Sequence, residues 1–283
     1  MTIGVITLDW IYFLQTVILG LVEGLTEFLP VSSTGHLILA GDFLGFDDPG
    51  ADTFYIAIQA GAIVAVCWHY RARIISVLCN LFKKGPEQRL AVNTVAAFLP
   101  AAVAGVLLSS FIKSHFFNAT TVACALVVGG ILILWIERRH EKLHIKPRVA
   151  TMDDMTLKDA LGVGCMQCLA LIPGTSRSGA TIIGALVLGL SRTAATEFSF
   201  FLAIPTIFGA TVWDLYKSRE FLSLESLPGI GVGFVVSFLS AIVVVRWLLQ
   251  YVSKNDFRVF GWYRIVFGLI VLAFGWAGGT FAA

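Results

Sequence analysis

Glu23 and Glu27 lie four residues apart in an apolar run, closely followed by Pro30, Ser32, Ser33, Thr34, Gly35 and His36. A four-residue spacing stacks two side chains on one face of a helix. Two carboxylates side by side in a low-dielectric setting do not both stay ionised unaided, so this pair should bind a cation or share a proton. Ser32, Ser33 and Thr34 follow a proline and precede a short apolar segment, which suits a helix N-terminus where hydroxyls and free backbone N–H groups meet an anion. His36, one turn inside that segment, becomes an acid/base candidate through its company. The plain structural alternatives are snorkelling acids and an ordinary helix cap.

A second stretch, Gly174-Thr175-Ser176-Arg177-Ser178-Gly179-Ala180-Thr181, offers the same hydroxyls and glycines together with an arginine. A guanidinium in an apolar surrounding needs an anionic partner, and its fork suits phosphate. A salt bridge to Glu23 or Glu27 would also satisfy Arg177 and is compatible with phosphate binding. Carboxylates able to hold a divalent cation, hydroxyls at helix starts, an arginine and a histidine together make a phosphoryl-transfer kit. Its apolar flanks imply a substrate that is a lipid or arrives through one.

The elements that must position these groups belong to a membrane protein. The 283 residues are 57% hydrophobic and only 13% charged, whereas soluble domains average about 25% charged. Ionisable groups inside a span cost at least about 2.5 kcal/mol each, so those present are functional candidates by default. The N-terminus lacks a basic region and a small-residue cleavage site, so no removable signal peptide is expected. Five cysteines, mostly in apolar stretches, argue against a disulfide framework.

Hydropathy and chain breakers predict ten helical segments: 8–28, 34–45, 53–71, 89–112, 119–137, 157–172, 178–190, 194–215, 229–250 and 258–280. Segments 34–45, 157–172 and 178–190 are too short to cross a hydrocarbon core of about 30 Å. Each of the two Ser-rich breaks is therefore read as the tip of a re-entrant helical hairpin, which leaves six full crossings. The expected fold is an all-α polytopic membrane protein of one domain, 1–283. Repeat one covers about 8–137 and repeat two about 157–280, each a hairpin plus three transmembrane helices, joined by a basic connection at about 138–156. Three crossings per repeat invert the second half relative to the first.

Sixteen of the twenty Lys and Arg fall on one side of this topology, counting Arg246 and Arg264 at adjacent helix ends. The other side keeps Lys113, Lys217, Arg219 and the acidic cluster Asp42, Asp47, Asp48 and Asp52. By the positive-inside rule the basic side is cytoplasmic, so both termini and the first hairpin's mouth face outward while the second hairpin enters from the cytoplasm.

Other patterns carry less. His140-Glu141-Lys142-Leu143-His144 has the zincin form but lies in the basic connection with no third ligand nearby. Cys165-Met166-Gln167-Cys168 has redox spacing without a βαβ setting. Gly20 and Gly24 read as a packing surface, Glu197 as a lesser functional candidate and Asp214 as a helix-end residue.

The stretches Glu23–His36 and Pro173–Thr181 closely resemble undecaprenyl-pyrophosphate phosphatases of the bacitracin-resistance (BacA/UppP) family. Asp153–Thr156, Gln167–Leu171 and Ala195–Phe200 extend the likeness over nearly the whole chain, with Thr175 where an aromatic residue is common. The resemblance implies removal of the terminal phosphate from undecaprenyl pyrophosphate, which recycles the carrier lipid for peptidoglycan and other wall polymers. It further implies a divalent cation, Mg2+ or Ca2+, and a multi-pass protein of the bacterial inner membrane whose site opens to the periplasmic or outer face. Polyprenyl pyrophosphate and membrane lipids are the expected partners, a homodimer is compatible, and nucleic acid is not expected.

The family's acidic residues carry over to Glu23 and Glu27, its Ser and His to Ser33 and His36, and its basic residue to Arg177. The resulting expectation is metal on Glu23 and Glu27, catalysis by Glu27, Ser33, His36 and Arg177, and substrate contacts from Ser32, Thr34, Gly35, Gly174, Thr175, Ser176, Ser178, Gly179 and Thr181. In it Ser33 attacks phosphorus or positions a water, His36 shuttles the proton, and a histidine nucleophile is the nearest variant. Two rivals follow from the same sequence: a lipid flippase or secondary transporter, since broken helices in inverted repeats are a transporter architecture, and an intramembrane metalloprotease built on His140 and His144.

Overall fold

Once water is excluded, a chain segment must satisfy its own backbone N–H and C=O groups, and helices do so. The computed structural model describes residues 10–46, 51–218 and 227–276, and these are helical apart from connections and an isolated bridge between Val149 and Leu190. The helices are α1 (Trp10–Thr26), α2 (Ser33–Leu44), α3 (Ala51–His69), α4 (Arg71–Cys79), α5 (Pro86–Phe116), α6 (Ala119–Lys142), α7 (Leu157–Gln167), α8 (Arg177–Val187), α9 (Arg192–Ser218), α10 (Leu227–Val252) and α11 (Arg258–Trp276). Asp47, Asp48 and Arg219 of the charge argument lie outside the described residues.

Each of the ten expected segments has its helix, and one connection differs. Residues 71–89 contain α4, which bends 74° away from α3. Charge begins at Arg71 and Arg73, in the first turn of α4, while Ile75 and Leu78 remain exposed apolar side chains. Among the described residues four helices are long and apolar enough to span a membrane, within α5, α6, α9 and α10, and a fifth span is counted if α3 and α4 are taken together. α11 has 19 residues, about 28 Å of helix, close to the thickness of a hydrocarbon core.

The surface confirms the solvent. Val92, Val95, Leu99, Val103 and Val106 of α5 and Val235, Leu239 and Val243 of α10 are all exposed. Water would oppose such aliphatic stripes; lipid does not. Ion pairs instead gather in the connections, where Arg148 meets Asp159 at 2.5 Å, Arg192 meets Glu137 at 2.5 Å, Arg73 meets Asp153, and Arg258 meets Glu141.

Inside, α10 packs on α1 and α3, α5 on α7 and α9, α3 on α9, and α6 on α11. Gly20 and Gly24 make the α1–α10 contact, since a Cβ there would lie 2.7 Å from Gly233 O and 2.4 Å from Ser237 O respectively. The short helices α1 and α2 form one broken hairpin and α7 and α8 the other. Both second arms end on a left-handed glycine, Gly45 at φ 62° and Gly189 at φ 90°, a conformation that glycine adopts without steric cost.

Candidate active site

The two breaks are built alike. Pro30 precedes α2 and Pro173 precedes α8, and in each case the last residue before the helix is a serine in left-handed conformation: Ser32 at φ 71° and Ser176 at φ 72°. For a serine this conformation costs about 1–3 kcal/mol and points to a functional constraint. Gly174, at φ 89°, has no room for a side chain, because a Cβ would lie 2.4 Å from Val122 O.

The breaks meet at Glu27, a buried carboxylate. Ser33 Oγ donates to Glu27 Oε2 at 2.6 Å, and Arg177 donates to Glu27 Oε1 from Nη2 at 3.2 Å and from Nε at 3.4 Å. Arg177 Nη1 donates to Ser199 O at 3.1 Å, and the guanidinium lies over the Phe28 ring. Of the five N–H donors of a guanidinium, Arg177 thus commits three among the described residues and retains two. Ser178 Oγ, fully buried, donates to Leu29 O at 2.7 Å and ties the second tip to the first.

Glu23, one turn before Glu27, is 1% exposed, and its Oε1 has no hydrogen-bond partner. A buried carboxylate oxygen without a donor suits a hard divalent cation, whose ligands are oxygens. Among the described residues no group of three or more His, Cys, Asp or Glu forms. Glu23 and Glu27 would be the residues to hold such an ion, and the rest of its ligands would have to come from outside these side chains.

His36 Nδ1 lies 2.7 Å from Ser32 O, and Nε2 lies 2.6 Å from the Tyr263 hydroxyl. A carbonyl only accepts, so Nδ1 carries hydrogen, and in the neutral ring Nε2 accepts from Tyr263. The ring stacks on Phe267 at 4.0 Å between centroids. No described hydrogen bond joins His36 to Ser33 or Glu27, so the group placed to take the Ser33 proton is Glu27. Tyr263 escaped sequence reading because it follows His36 by 227 residues and a tyrosine there reads as a membrane-interface aromatic.

The other expected substrate contacts divide by break. Thr34 is exposed, Gly35 packs against Val122 and Leu126, and Ser32 makes no side-chain cap to α2. In the second break Ser176, Ser178 and Thr181 already have protein partners: Ser176 Oγ accepts from Gly179 N at 3.0 Å and contacts Ser178 Oγ at 3.0 Å, while Thr181 Oγ1 donates to Arg177 O at 2.9 Å and lies 2.6 Å from Ser199 Oγ. Gly174 and Thr175 present carbonyls to Arg264.

That last contact corrects the sequence reading, which put Arg264 at a cytoplasmic helix end. Arg264 is 1% exposed and reaches both breaks. An arginine on an apolar helix ordinarily snorkels to the interface; here the carbonyls freed by the breaks accept its hydrogen bonds instead.

The discounted patterns stay apart from the site. His144 lies beyond the end of α6 with φ 47°, so His140 and His144 do not share a helix face. Cys165 and Cys168 are free thiols, and the charged neighbours of Glu197 are Asp153 and Arg73.

A family model described as bacitracin resistance protein BacA matches residues 16–270. The chain belongs to this family. A Nitrosomonas europaea protein named undecaprenyl-diphosphatase is 55% identical over 271 residues, covering 96% of this chain and 97% of the relative. A protein of the same name from Janthinobacterium sp. (strain Marseille) is 55% identical over 272 residues, and one from Rhodospirillum rubrum named undecaprenyl-diphosphatase 2 is 55% identical over 272 residues, each covering 98% of the relative.

Proposed function

We infer that this membrane chain is an undecaprenyl-diphosphatase whose single site is assembled where the two breaks meet. Family membership and near-full-length likeness to relatives of that name support the activity. The observation that carries the site is the convergence of Ser33 and Arg177 on Glu27.

These bonds support the following mechanism. Glu27 Oε2 takes the hydroxyl proton as Ser33 Oγ attacks the terminal phosphorus, the nucleophile–base arrangement of covalent catalysis. The P–O bond of the anhydride breaks, the undecaprenyl monophosphate departs with the electron pair, and phosphoserine remains for water to hydrolyse to inorganic phosphate. Arg177 directs its two uncommitted N–H donors at the phosphate, and the uncapped start of α2 adds backbone donors. His36 bonds to the Ser32 carbonyl and thereby fixes the turn that presents Ser33. A divalent ion on Glu23 and Glu27 supplies charge neutralisation for the transferring phosphoryl group when bound.

The two halves read best as inverted repeats in one membrane domain. In support, exchanging the halves preserves the packing: α1 on α10 mirrors α7 on α5, α3 on α10 mirrors α9 on α5, and α3–α9 and α6–α11 pair with their own counterparts. By the positive-inside rule the face that carries the basic connections is read as cytoplasmic. On this topology the first hairpin enters from the outer face, where the lipid's pyrophosphate reaches Ser33.

The test is phosphate release from undecaprenyl diphosphate by purified protein in detergent with Mg2+. Ser33→Ala lowers it about 10³-fold or more, and chelation of divalent ions abolishes it. Activity of Ser33→Ala within tenfold of the unmodified protein removes Ser33 as nucleophile; full activity under chelation removes the ion.

A further inference from the structure

Arg264 has the largest fully buried side chain among the described residues, and the chemistry above leaves it without a task. It sits on α11, outside both hairpins. Its Nη1 donates to Pro30 O at 3.1 Å and to Thr175 O at 2.9 Å; Nη2 donates to Gly174 O at 3.0 Å and to Ala125 O at 3.0 Å; Nε donates to Leu126 O at 3.3 Å. All five guanidinium donors are thus committed. None remains for a substrate, which separates Arg264 from Arg177.

The acceptors explain the arrangement. A break in a helix leaves carbonyls without their usual N–H partners, and at membrane depth an unsatisfied carbonyl costs several kcal/mol. Pro30 supplies one such carbonyl from the first break and Gly174 and Thr175 two from the second; the other two acceptors, Ala125 O and Leu126 O, lie within the unbroken helix α6. One side chain therefore joins both tips to a single helix. Among the described residues no carboxylate pairs with it, so its charge also stands uncompensated beside two helix starts, where it favours an anion. Space for it is built in, since a Cβ at Gly129 would lie 2.3 Å from Nη2 and one at Gly179 3.1 Å from Nη1.

We propose that Arg264 is a positioning residue that locks the two breaks to each other and so fixes where Arg177 and Ser33 meet Glu27. The inference rests on the site described under Proposed function and deepens it. It is tested by a double-mutant cycle in the phosphate-release assay on protein that elutes as the folded species. Lysine keeps the charge of Arg264 but has three donors for five carbonyls, so the second tip shifts. Arg264→Lys lowers kcat/KM about 10²-fold in the unmodified protein and less than about tenfold in an Arg177→Lys background, because residues acting as one unit are not additive. A loss confined to folding would multiply by the same factor in both backgrounds.

Gly129→Ala displaces the guanidinium while leaving the arginine in place; it gives the same non-additive pattern at about tenfold and decides the matter if Arg264→Lys does not fold. Equal factors in both backgrounds, or kcat/KM at the unmodified level in both Arg264→Lys and Gly129→Ala, overturn the proposal. Unmodified activity in Arg177→Lys alone would instead overturn the phosphate role of Arg177.

Discussion

Ser32 and Ser176 precede their helices with φ of 71° and 72°, yet only Ser176 turns its hydroxyl onto the helix that follows, accepting from Gly179 N at 3.0 Å. The start of α2 receives no such cap. Ser178 and Thr181 likewise spend their hydroxyls on protein carbonyls, whereas Thr34, near the corresponding place in the first break, is exposed. The same backbone device is thus closed in one half and left open in the other. An open helix start collects an anion; a closed one holds a framework. On the proposed mechanism the second break lends the chemistry one side chain, Arg177, and otherwise braces the first.

That asymmetry is open to direct attack. Arg177→Ala removes the group of the closed break that the proposed mechanism turns on the substrate, and phosphate release from undecaprenyl diphosphate falls about 10²–10³-fold; a loss below tenfold would mean that the closed break is not needed to bind phosphate. The paired serines come next. If the Ser32 hydroxyl meets the phosphate at the open helix start, as expected from the sequence, Ser32→Ala lowers kcat/KM about 10–10²-fold with an unchanged thermal midpoint, the worth of a hydrogen bond to a charged group. Ser176→Ala instead lowers stability by about 0.5–2 kcal/mol, the worth of a lost cap. Matched effects of the two on both activity and melting would erase the distinction. Tyr263→Phe keeps the ring beside His36 and deletes its hydroxyl; kcat falls about threefold to tenfold, the worth of one hydrogen bond, and His36→Ala in the same background adds less than it does alone.

Much of this was legible in the residues. Hydropathy and the two Pro-containing breaks give every helix of both hairpins, because apolar length and helix breakers are local properties. Glu27, Ser33 and Arg177 stand out as polar groups where polarity is costly, and the structure brings these three together. What stayed hidden depends on partners distant in the chain. His36 advertises acid/base chemistry, but its orientation is set by the Ser32 carbonyl and by Tyr263 on α11. Arg264 looks like a helix-end cation until the broken helices supply carbonyl acceptors around it. Ser176, Ser178 and Thr181 read as phosphate ligands for the same reason: sequence shows the hydroxyls and conceals the carbonyls and N–H groups that already engage them. The α3–α4 bend escaped because a basic connection and a short amphipathic helix have the same composition.

Everything in the account passes through Glu27, which accepts from Ser33 at 2.6 Å and from Arg177 at 3.2 Å. Glu27→Gln preserves the shape of the side chain and removes its capacity to take the serine proton. Phosphate release from undecaprenyl diphosphate by the purified, folded Glu27→Gln protein is expected to fall about 10³-fold, within the range of a lost general base. Activity within tenfold of the unmodified protein would contradict a single site built where the two breaks meet.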